Sequence, residues 1–467
     1  MPTKIISPIT RLNGFWRIDV NIENGQVVDA YSSGIFFRGI EKILHGRDPR
    51  DAVYLTQRIC GICSTAHGLA SSLALEDAFK IKPPRNGIII RNLLFGADLL
   101  QNHIRHFYFL TVPDFVRGPD RPPFVPRYEV DYRLSRTESD KIYENYMESI
   151  HISRAVHDMV TIFGGKIPHN HGILAGGATV PPTADNVRMF MSLLQKVRSF
   201  VQNKMMADLE KIATAYEDYY KIGIGTGNLM AFGMFPHPDK KDDFYFKPGI
   251  IIGKKREKLD AMAITEHIKY SWYRASPPLH PEEGETQPDT GKEDAYSWVK
   301  APRYKGHPVE GGPLARLILS GDYKGGHSAM DRIAARVMEA NIVSEMMEEW
   351  CRQLEIGKPV FTPYDMPANA EGIGMVEAMR GGLGHWMRMR AGRITHYQII
   401  TPSAWNCSPR DDEGRRGPVE EALIGTPIED FDQPIEVGRV ARSFDPCLAC
   451  AVHMIDMKGR EKYVEIL

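Results

Sequence analysis

The sequence has little cysteine, no long apolar run and no charge bias, and each absence excludes a class of protein. Six cysteines in 467 residues are too few for the disulfide scaffold of a small secreted protein. No run of about 18 apolar residues occurs, so no membrane-spanning helix is predicted. Lys plus Arg total 58 and Asp plus Glu 59, and this balance excludes a general attraction to nucleic acid.

The N-terminus also lacks a secretory signal. The opening residues, MPTKIISPITRLNG, contain no basic patch followed by an apolar stretch and a small-residue cleavage site. We therefore expect the chain to be cytoplasmic as synthesised. If it is exported or associated with a membrane, a partner subunit must supply the signal or the anchor.

The remaining composition is that of a globular protein with a sizeable core. The chain is 43% hydrophobic and 25% charged, and no clean linker divides it, so we expect one large domain over residues 1–467. Apolar residues recur every three or four positions in three segments, and a fourth segment, 140–163, is also expected to be helical. The three segments are 90–111, 184–220 and 330–355. Thr183 can cap the start of the second.

Strand signals are weaker and concentrate near the N-terminus. Alternating apolar residues around the turn Asn24-Gly25 predict a β-hairpin within residues 17–28. A short helix is expected at 37–46. Segment 164–183 is dense in Gly and Pro, so we expect an ordered loop there. Segment 274–313 is polar and rich in Pro, so we expect an excursion onto the surface. The pattern predicts a mostly helical body with small hairpins.

The cysteines are unevenly placed. Cys60 and Cys63 form one Cys-x-x-Cys pair, and Cys447 and Cys450 form another almost at the opposite end of the chain. Two such pairs in a cysteine-poor chain indicate a metal site rather than disulfides.

Four interpretations of these pairs compete. A zinc ribbon usually places its pairs about 15 to 20 residues apart, unlike these. A thioredoxin-like redox site needs only one pair, at the start of a helix. If the four paired cysteines were simply buried without a metal, their two identical spacings would be unexplained. The two remaining cysteines need no such explanation: Cys351 fits a core position, and Cys407 is expected to be a bystander. A redox metal centre uses both pairs, because thiolates suit nickel, iron, copper(I) or zinc.

The residues around the pairs resemble a known family. RICGICSTAH (58–67) and DPCLACAVH (445–453) match the two signatures of the large, catalytic subunit of nickel-iron hydrogenases. Further blocks, among them GIFFRGIEKIL, GGKIPH, RGGLGHW and SAWNCSPRD, occur in the family's order, and the resemblance covers residues 5–467. A distantly related subunit of respiratory complex I generally lacks the four cysteines, which favours the hydrogenase interpretation.

The resemblance implies an α+β fold with a long central helix bundle and small peripheral β-hairpins and sheets. It implies heterolytic oxidation of H2, or the reverse reaction, which needs a Lewis acid and a base. Cys60 and Cys447 would be terminal nickel ligands, while Cys63 and Cys450 would bridge to an iron with carbon monoxide and cyanide ligands. Cys447, at the position where selenium-containing relatives have selenocysteine, would be the first proton acceptor.

Other residues match family positions around the metals. Arg380 would supply a permanent positive charge beside them, held in place by Asp445. Pro402 and Ser403 would contact a cyanide ligand, and His67 would donate a hydrogen bond to a bridging sulfur.

The resemblance also implies a second metal and a processing step. Glu41 and His453 match ligands of a buried magnesium ion that anchors the C-terminus, and hard oxygen ligands suit magnesium. Residues 454–467 resemble the extension that a dedicated endopeptidase removes once nickel is installed.

Two positions depart from the family's pattern. Asn13 stands where the family usually has a glutamate that passes protons away from the nickel thiolate, and an amide cannot ionise. Asn102 stands where aspartate is common. Three hypotheses follow: protons leave through another group or ordered water with activity intact, the enzyme is slow and senses H2 or works in another redox role, or the alignment at residue 13 is wrong. We expect Asn13→Glu to raise H2/D+ exchange; an unchanged rate would indicate a different proton path.

The electrons released from H2 also need a route. The chain has no further cysteine set for an iron–sulfur relay, which implies a small subunit with iron–sulfur clusters, and through it a membrane cytochrome or another acceptor. The alternatives are an H2-sensing subunit with slow turnover and a non-catalytic relative in an electron-transfer complex. The C-terminal extension argues against the first, and the intact cysteines argue against the second.

Overall fold

The structure, a computed structural model, describes residues 3–125, 127, 131–240 and 242–451. The α-helices within these ranges are α1 Ile40–Leu44, α2 Ala52–Leu55, α3 Ser64–Phe79, α4 Arg85–Arg105, α5 Val112–Phe115, α6 Arg136–Gly164, α7 Ala184–Phe200, α8 Met206–Ala215, α9 Pro313–Ser320, α10 Ala329–Gln353, α11 Pro402–Asn406, α12 Pro418–Leu423, α13 Ile435–Ser443 and α14 Leu448–Ala451.

The β-strands form small antiparallel sheets of two or three strands. They are β1 Thr3–Ile6, β2 Trp16–Glu23, β3 Gln26–Gly34, β4 Ile173–Leu174, β5 Gly177–Ala178, β6 Leu229–Ala231, β7 Met234–Pro236, β8 Phe244–Phe246, β9 Gly249–Ile252, β10 Lys255–Glu257, β11 Ile264–His267, β12 Ala301–Tyr304, β13 Ala370–Ala378, β14 Gly381–Arg390 and β15 Arg393–Ile400. The three-stranded sheets have the orders β1-β2-β3, β10-β9-β6 and β13-β14-β15.

Four long helices form the centre of the molecule. α4 packs against α6 and α10, and α7 packs against the same two helices. Apolar residues at helical spacing, such as Leu93, Leu100 and Val337, are fully buried between them. Ser135 caps the N-terminus of α6 and Ser328 that of α10, each through a capping box that satisfies the first amide groups. The expected mostly helical body with a central bundle is confirmed.

The predicted helical segments are present, with local irregularities. The segment 90–111 is α4 followed by a π-helical turn at His106–Thr111. The segment 184–220 is α7 and α8, joined by another π-helical turn at Val201–Met205. Thr183 caps α7 as expected, because its side chain accepts a hydrogen bond from the Asn186 amide. Within the described residues, no helix combines the length and the apolar character that crossing a bilayer requires.

The sheet β13-β14-β15 was not predicted, and it packs against α3. The two elements approach so closely that glycine is needed: a Cβ on Gly374 would lie 1.9 Å from the Ala70 carbonyl oxygen. This contact fixes α3, and therefore the cysteine at its start, relative to the turn between β13 and β14.

The predicted hairpin is present as β2 and β3, joined at Asn24-Gly25. Just before it, residues 13 and 14 run against the segment that follows Cys447. Gly14 has a φ of +94°, and a Cβ there would lie 2.4 Å from the Ala449 amide nitrogen. The two ends of the described chain are thus in backbone contact.

The two segments expected to be irregular contain short strands. The loop 164–183 includes β4 and β5. The prediction of a surface excursion over 274–313 is wrong for its later part, because β12 pairs with β11 and all four of its residues are buried. Arg303 of β12 is compatible with burial because it forms an ion pair with Asp411, with Nε and Oδ2 2.9 Å apart.

Candidate metal centre

Three of the four paired cysteines meet in the interior. Cys60 follows the 3-10 turn Thr56–Ile59, Cys63 immediately precedes α3, and Cys447 immediately precedes α14. Their sulfur atoms lie within 4.8 Å of one another, and none of the three residues is more than 6% exposed. The Cys60 and Cys447 sulfurs are 3.5 Å apart, beyond the roughly 2.05 Å of a disulfide bond. The side chain of Cys450 lies outside the described part of the chain.

Asn13 joins the two cysteine segments. Its Nδ2 donates to Cys60 Sγ at 2.9 Å and to Cys447 Sγ at 3.4 Å. Its carbonyl oxygen accepts from the Leu448 amide at 2.7 Å. The hypothesis that position 13 is misaligned therefore gains no support. An amide donates but does not ionise, so Asn13 favours negative charge on both sulfurs without being able to accept a proton from them.

Ser403 holds Cys447 from another side. Its Oγ accepts a hydrogen bond from the Cys447 amide at 2.9 Å. Pro402 and Ser403 are the first residues of α11, and the preceding Thr401 caps that helix by accepting from the Ala404 amide. The start of a short helix is thus placed directly against a predicted metal ligand.

Arg380 and Asp445 form a buried ion pair. Arg380 lies at the turn between β13 and β14, with its Nε 3.0 Å from Asp445 Oδ1. Asn102 Nδ2 donates to the other carboxylate oxygen at 2.8 Å. Burial alone would raise the pKa of Asp445, but the charge of Arg380, with His106 and Arg336, outweighs it and holds that pKa far below its ordinary value. Asp445 is therefore ionised near neutral pH.

A small cavity is bordered by Arg380 and by two of the cysteines. Its lining residues are Cys63, Ala378, Met379, Arg380, Pro402, Ser403 and Cys447. Arg380 Nη1 is buried and has no hydrogen-bond partner among the described residues. Buried donors are nearly always satisfied, so this one indicates an acceptor in the cavity. Converging thiol groups, which bind soft transition metals as thiolates, fit a nickel-containing centre at this point.

A sequence model of the family described as nickel-dependent hydrogenase matches residues 38–120, 112–327 and 319–453. These ranges include both cysteine pairs and nearly the whole described chain. The chain belongs to the nickel-dependent hydrogenase family.

Individual hydrogenases are similar over their full length. The large subunit of the periplasmic [NiFeSe] hydrogenase of Desulfomicrobium baculatum is 41% identical, over 98% of this chain and 96% of the relative. The large chain of the quinone-reactive Ni/Fe-hydrogenase of Wolinella succinogenes is 31% identical, over 98% and 96%. The Ni-Fe-Se hydrogenase of D. vulgaris Hildenborough in the as-isolated oxidized state matches this structure with a TM-score of 0.94 at 42% identity, covering 97% of this chain and 100% of that one.

These similarities confirm the expected activity. The chain is the catalytic large subunit of a hydrogenase, an oxidoreductase that acts on H2 at a nickel-containing centre and works with a small subunit. Neither the H2-sensing alternative nor the non-catalytic alternative is favoured. Position 447 of this hydrogenase is cysteine, although the names of several relatives include selenium.

His67 lies one helical turn along α3 from Cys63. Its Nδ1 is 3.2 Å from His385 Nε2, and His385 Nδ1 is 2.9 Å from the Tyr397 hydroxyl. Burial lowers the pKa of His67 to about 4 and that of His385 well below its ordinary value, so both rings are neutral. The expected hydrogen bond from His67 to a bridging sulfur stays a prediction.

Glu41 is buried in α1, and its Oε1 accepts from the Ile399 amide at 3.2 Å. Burial raises the pKa of Glu41, and the nearby Glu266 adds to this against the opposing charge of Lys300. A bound cation would favour the ionised form of such a group. His453, the expected second magnesium ligand, lies outside the described residues, so this site also stays a prediction.

Arg38 was not predicted as a site residue, although it lies within the family block GIFFRGIEKIL. Its guanidinium donates to the carbonyl oxygens of Arg58 and Ile59, just before Cys60, and to that of Ala449 in α14. Arg38 therefore ties one cysteine segment to the other. No local pattern distinguishes it from a surface arginine, and only its place in a family block could have singled it out.

Proposed function

We propose that Cys60, Cys63, Cys447 and Cys450 hold the nickel of this hydrogenase, with Cys63 and Cys450 also binding an iron. The observation that carries the proposal is a cluster of three buried sulfurs, two of which, those of Cys63 and Cys447, border a cavity that is also lined by Arg380 with its unsatisfied guanidinium donor. When bound, the metals supply the Lewis acidity that polarises H2 and the redox capacity that takes its two electrons.

Cys447 acts as the base that receives the proton of H2. Its sulfur borders the cavity, and Asn13 Nδ2 donates to it at 3.4 Å. This contact holds the sulfur in place beside the cavity. Because an amide cannot accept a proton, the proton must pass from Cys447 Sγ to another group.

Arg380 acts as a fixed positive charge directed into the cavity. Burial opposes its ionisation, but Asp445 and the neighbouring thiolates hold the pKa of Arg380 well above its ordinary value. Asp445 fixes the direction of the guanidinium, and Asn102 in turn fixes Asp445. The charge can polarise H2 without any change in protonation.

Pro402 and Ser403 contact a cyanide ligand of the iron, which also has carbon monoxide. Ser403 Oγ accepts from the Cys447 amide and borders the cavity, so its own hydroxyl hydrogen is available to a ligand there. His67 donates to a bridging sulfur in this arrangement. Infrared bands of cyanide and carbon monoxide in the purified enzyme test the ligands, and Ser403→Ala should shift the cyanide bands selectively.

Glu41 and His453 hold a magnesium ion near the C-terminus, and residues 454–467 are removed by an endopeptidase after nickel insertion. The buried, electrostatically unfavourable carboxylate of Glu41 supports the first part, because magnesium would compensate it. Mass spectrometry of the mature C-terminus tests the cleavage. Loss of magnesium in Glu41→Gln, with the nickel content unchanged, tests the ion.

Residues 1–467 form one domain, which loses residues 454–467 on maturation and then acts with an iron–sulfur small subunit. The relatives named as periplasmic and as quinone-reactive support export with that subunit and electron delivery to a membrane cytochrome or another acceptor. Fractionation of cells that express both subunits tests location, and co-purification of a haem protein tests the acceptor.

Metal analysis of cysteine variants tests the assignment of the centre. Cys447→Ser and Cys60→Ser should lose nickel and H2 oxidation with an artificial acceptor. Cys351→Ser is the matched control, since Cys351 is also buried but lies in α10 of the helix bundle. Equal nickel in Cys447→Ser and Cys351→Ser would overturn the assignment, and slow wild-type turnover would favour a sensing role.

A further inference from the structure

Asp98 is a buried carboxylate that the arrangement above leaves without a role. It lies in α4, is 4% exposed, and its Oδ2 has no hydrogen-bond partner among the described residues. The side chain forms a hydrogen bond with Thr65, whose hydroxyl also accepts from Asn170 Nδ2 at 3.0 Å. Aspartate is rarely buried unless it is fully paired, so this half-satisfied carboxylate calls for an explanation.

The position of Asp98 connects it to the metal centre on two sides. Thr65 is in the first turn of α3, two residues after Cys63. Asp98 also precedes Asn102 by one helical turn of α4, so both face the same side, and Asn102 contacts Asp445. The charged groups that act on Asp98 are Arg105 of its own helix, Cys60 and Arg380.

The proposed reaction needs a group that accepts the proton from the Cys447 sulfur. Splitting H2 leaves a proton on Cys447, and Asn13, which contacts that sulfur, cannot accept it. Both carboxylate oxygens of Asp445 are already engaged, one in the ion pair with Arg380 and the other by Asn102 Nδ2. Of the carboxylates around the cysteines in the described part of the chain, Asp98 has an open oxygen and no guanidinium in contact.

We propose, on the basis of the function proposed above, that Asp98 is the proton relay residue of this hydrogenase and replaces the missing carboxylate at position 13. In the relay the S–H bond at Cys447 breaks, intervening water accepts this proton and donates another, and an O–H bond forms at Asp98 Oδ2. The proton then passes to water, which restores the carboxylate. No electron moves with it, because both electrons of H2 leave through the small subunit.

The proton affinity of Asp98 suits this role. Burial raises its pKa to about 7, against the opposing hydrogen bond from Thr65 and the charges of Arg105 and Arg380. A relay works best when its pKa lies near the working pH, since it must both accept and release the proton.

Four variants of the complete enzyme with its small subunit test the proposal. Asp98→Asn should lower H2 oxidation and H2/D+ exchange by at least about 100-fold with nickel retained, and Asp98→Glu should retain most activity. Asp208→Asn is the matched control, because Asp208 is equally buried but bonds to Tyr108 and Asn145. Asn13→Glu introduced into Asp98→Asn should restore exchange, because it places a carboxylate beside the Cys447 sulfur.

An infrared titration supplies a readout that does not depend on turnover. The wild type should show a carboxylic acid C=O band that titrates near pH 7 and is absent in Asp98→Asn. Thr65→Val should move this titration, and the pH dependence of H2 oxidation, to higher pH, because it removes a hydrogen bond that favours the ionised form. Thr65→Val therefore keeps the proposal testable even if Asp98→Asn does not fold.

The outcomes separate the relay from the function on which it rests. If the wild type contains nickel and oxidises H2 but Asp98→Asn matches Asp208→Asn in rate and pH profile, the relay proposal is overturned alone. If the wild type contains no nickel, the proposed function fails. Rescue of Asp98→Asn by Asn13→Glu, together with loss of the infrared band, would support the relay.

Discussion

The two cysteine segments of this hydrogenase are held by different means. The segment with Cys60 and Cys63 leads directly into the 16 residues of α3, which is packed against β13 over its length. The segment with Cys447 leads only into the short α14 and is held by individual bonds from Asn13, Ser403 and Arg38. One half of the centre is fixed by packing, and the other by single polar contacts.

This difference predicts how each half responds to mutation. Packing of a helix on a sheet is cooperative, so damage there should affect the stability of the whole chain. Polar contacts to a short segment stabilise it locally, so their loss should affect mainly the retention of metal.

Gly374→Val tests the packed half and should have the largest effect. A Cβ at this position would lie 1.9 Å from the Ala70 carbonyl oxygen, and neither backbone can move without displacing α3. We expect a loss of at least about 5 kcal/mol in the free energy of unfolding, in the exceptional range for one substitution. Soluble yield and thermal unfolding measure it. Gly291→Val, in an exposed position with its nearest atom at 3.5 Å, is the control and should be nearly neutral.

Asp445→Asn tests the polar half at the ion pair. Removing one partner leaves the buried Arg380 charge uncompensated, which costs about 3 kcal/mol in comparable pairs. Because the pKa of Asp445 is lowered in the folded protein, its contribution is present at neutral pH and is lost as the pH falls below about 4.

Two measurements separate the role of this ion pair from general destabilisation. Asp411→Asn breaks the buried pair with Arg303 and should reduce stability while leaving H2 oxidation per nickel unchanged. Asp445→Asn should reduce both, and the acid dependence of unfolding should be weaker than in the wild type. Full activity per nickel in Asp445→Asn would show that Arg380 does not depend on Asp445.

Ser403→Ala tests a single contact of the second cysteine segment. The Cys447 amide would lose its acceptor, and an unsatisfied buried amide costs about 2 kcal/mol. We expect faster loss of nickel in mild denaturant with little change in the unfolding of the bundle. Ser403→Thr keeps the hydroxyl and should retain nickel like the wild type; equal nickel loss in both variants would argue against the hydrogen bond.

The sequence predicted the helical body and the cysteine pairs because both depend on local patterns. The helix bundle follows from apolar residues at helical spacing, and the metal site follows from the short motifs. The sheet β13-β14-β15 was missed because its strands contain many glycines, such as Gly372, Gly374 and Gly384, which are rare in strands. Gly372 and Gly374 allow close contact with α3, and Gly384 leaves room for the Trp386 ring; such tertiary contacts have no local signature. The same applies to Asp98 and to the pairing of His67 with His385.

Arg38→Lys should have the smallest effect and acts on the connection between the two halves. A lysine retains the charge but cannot donate to the carbonyl oxygens of Ile59 and Ala449 with the fork of a guanidinium. We expect a loss of about 1 kcal/mol, roughly the net value of one hydrogen bond. Hydrogen exchange of the amides around Cys60 and Cys447 measures it, and both segments should exchange faster together. If only the Cys447 segment exchanges faster, packing of α3 alone is sufficient to hold the first pair, and the two halves are independent.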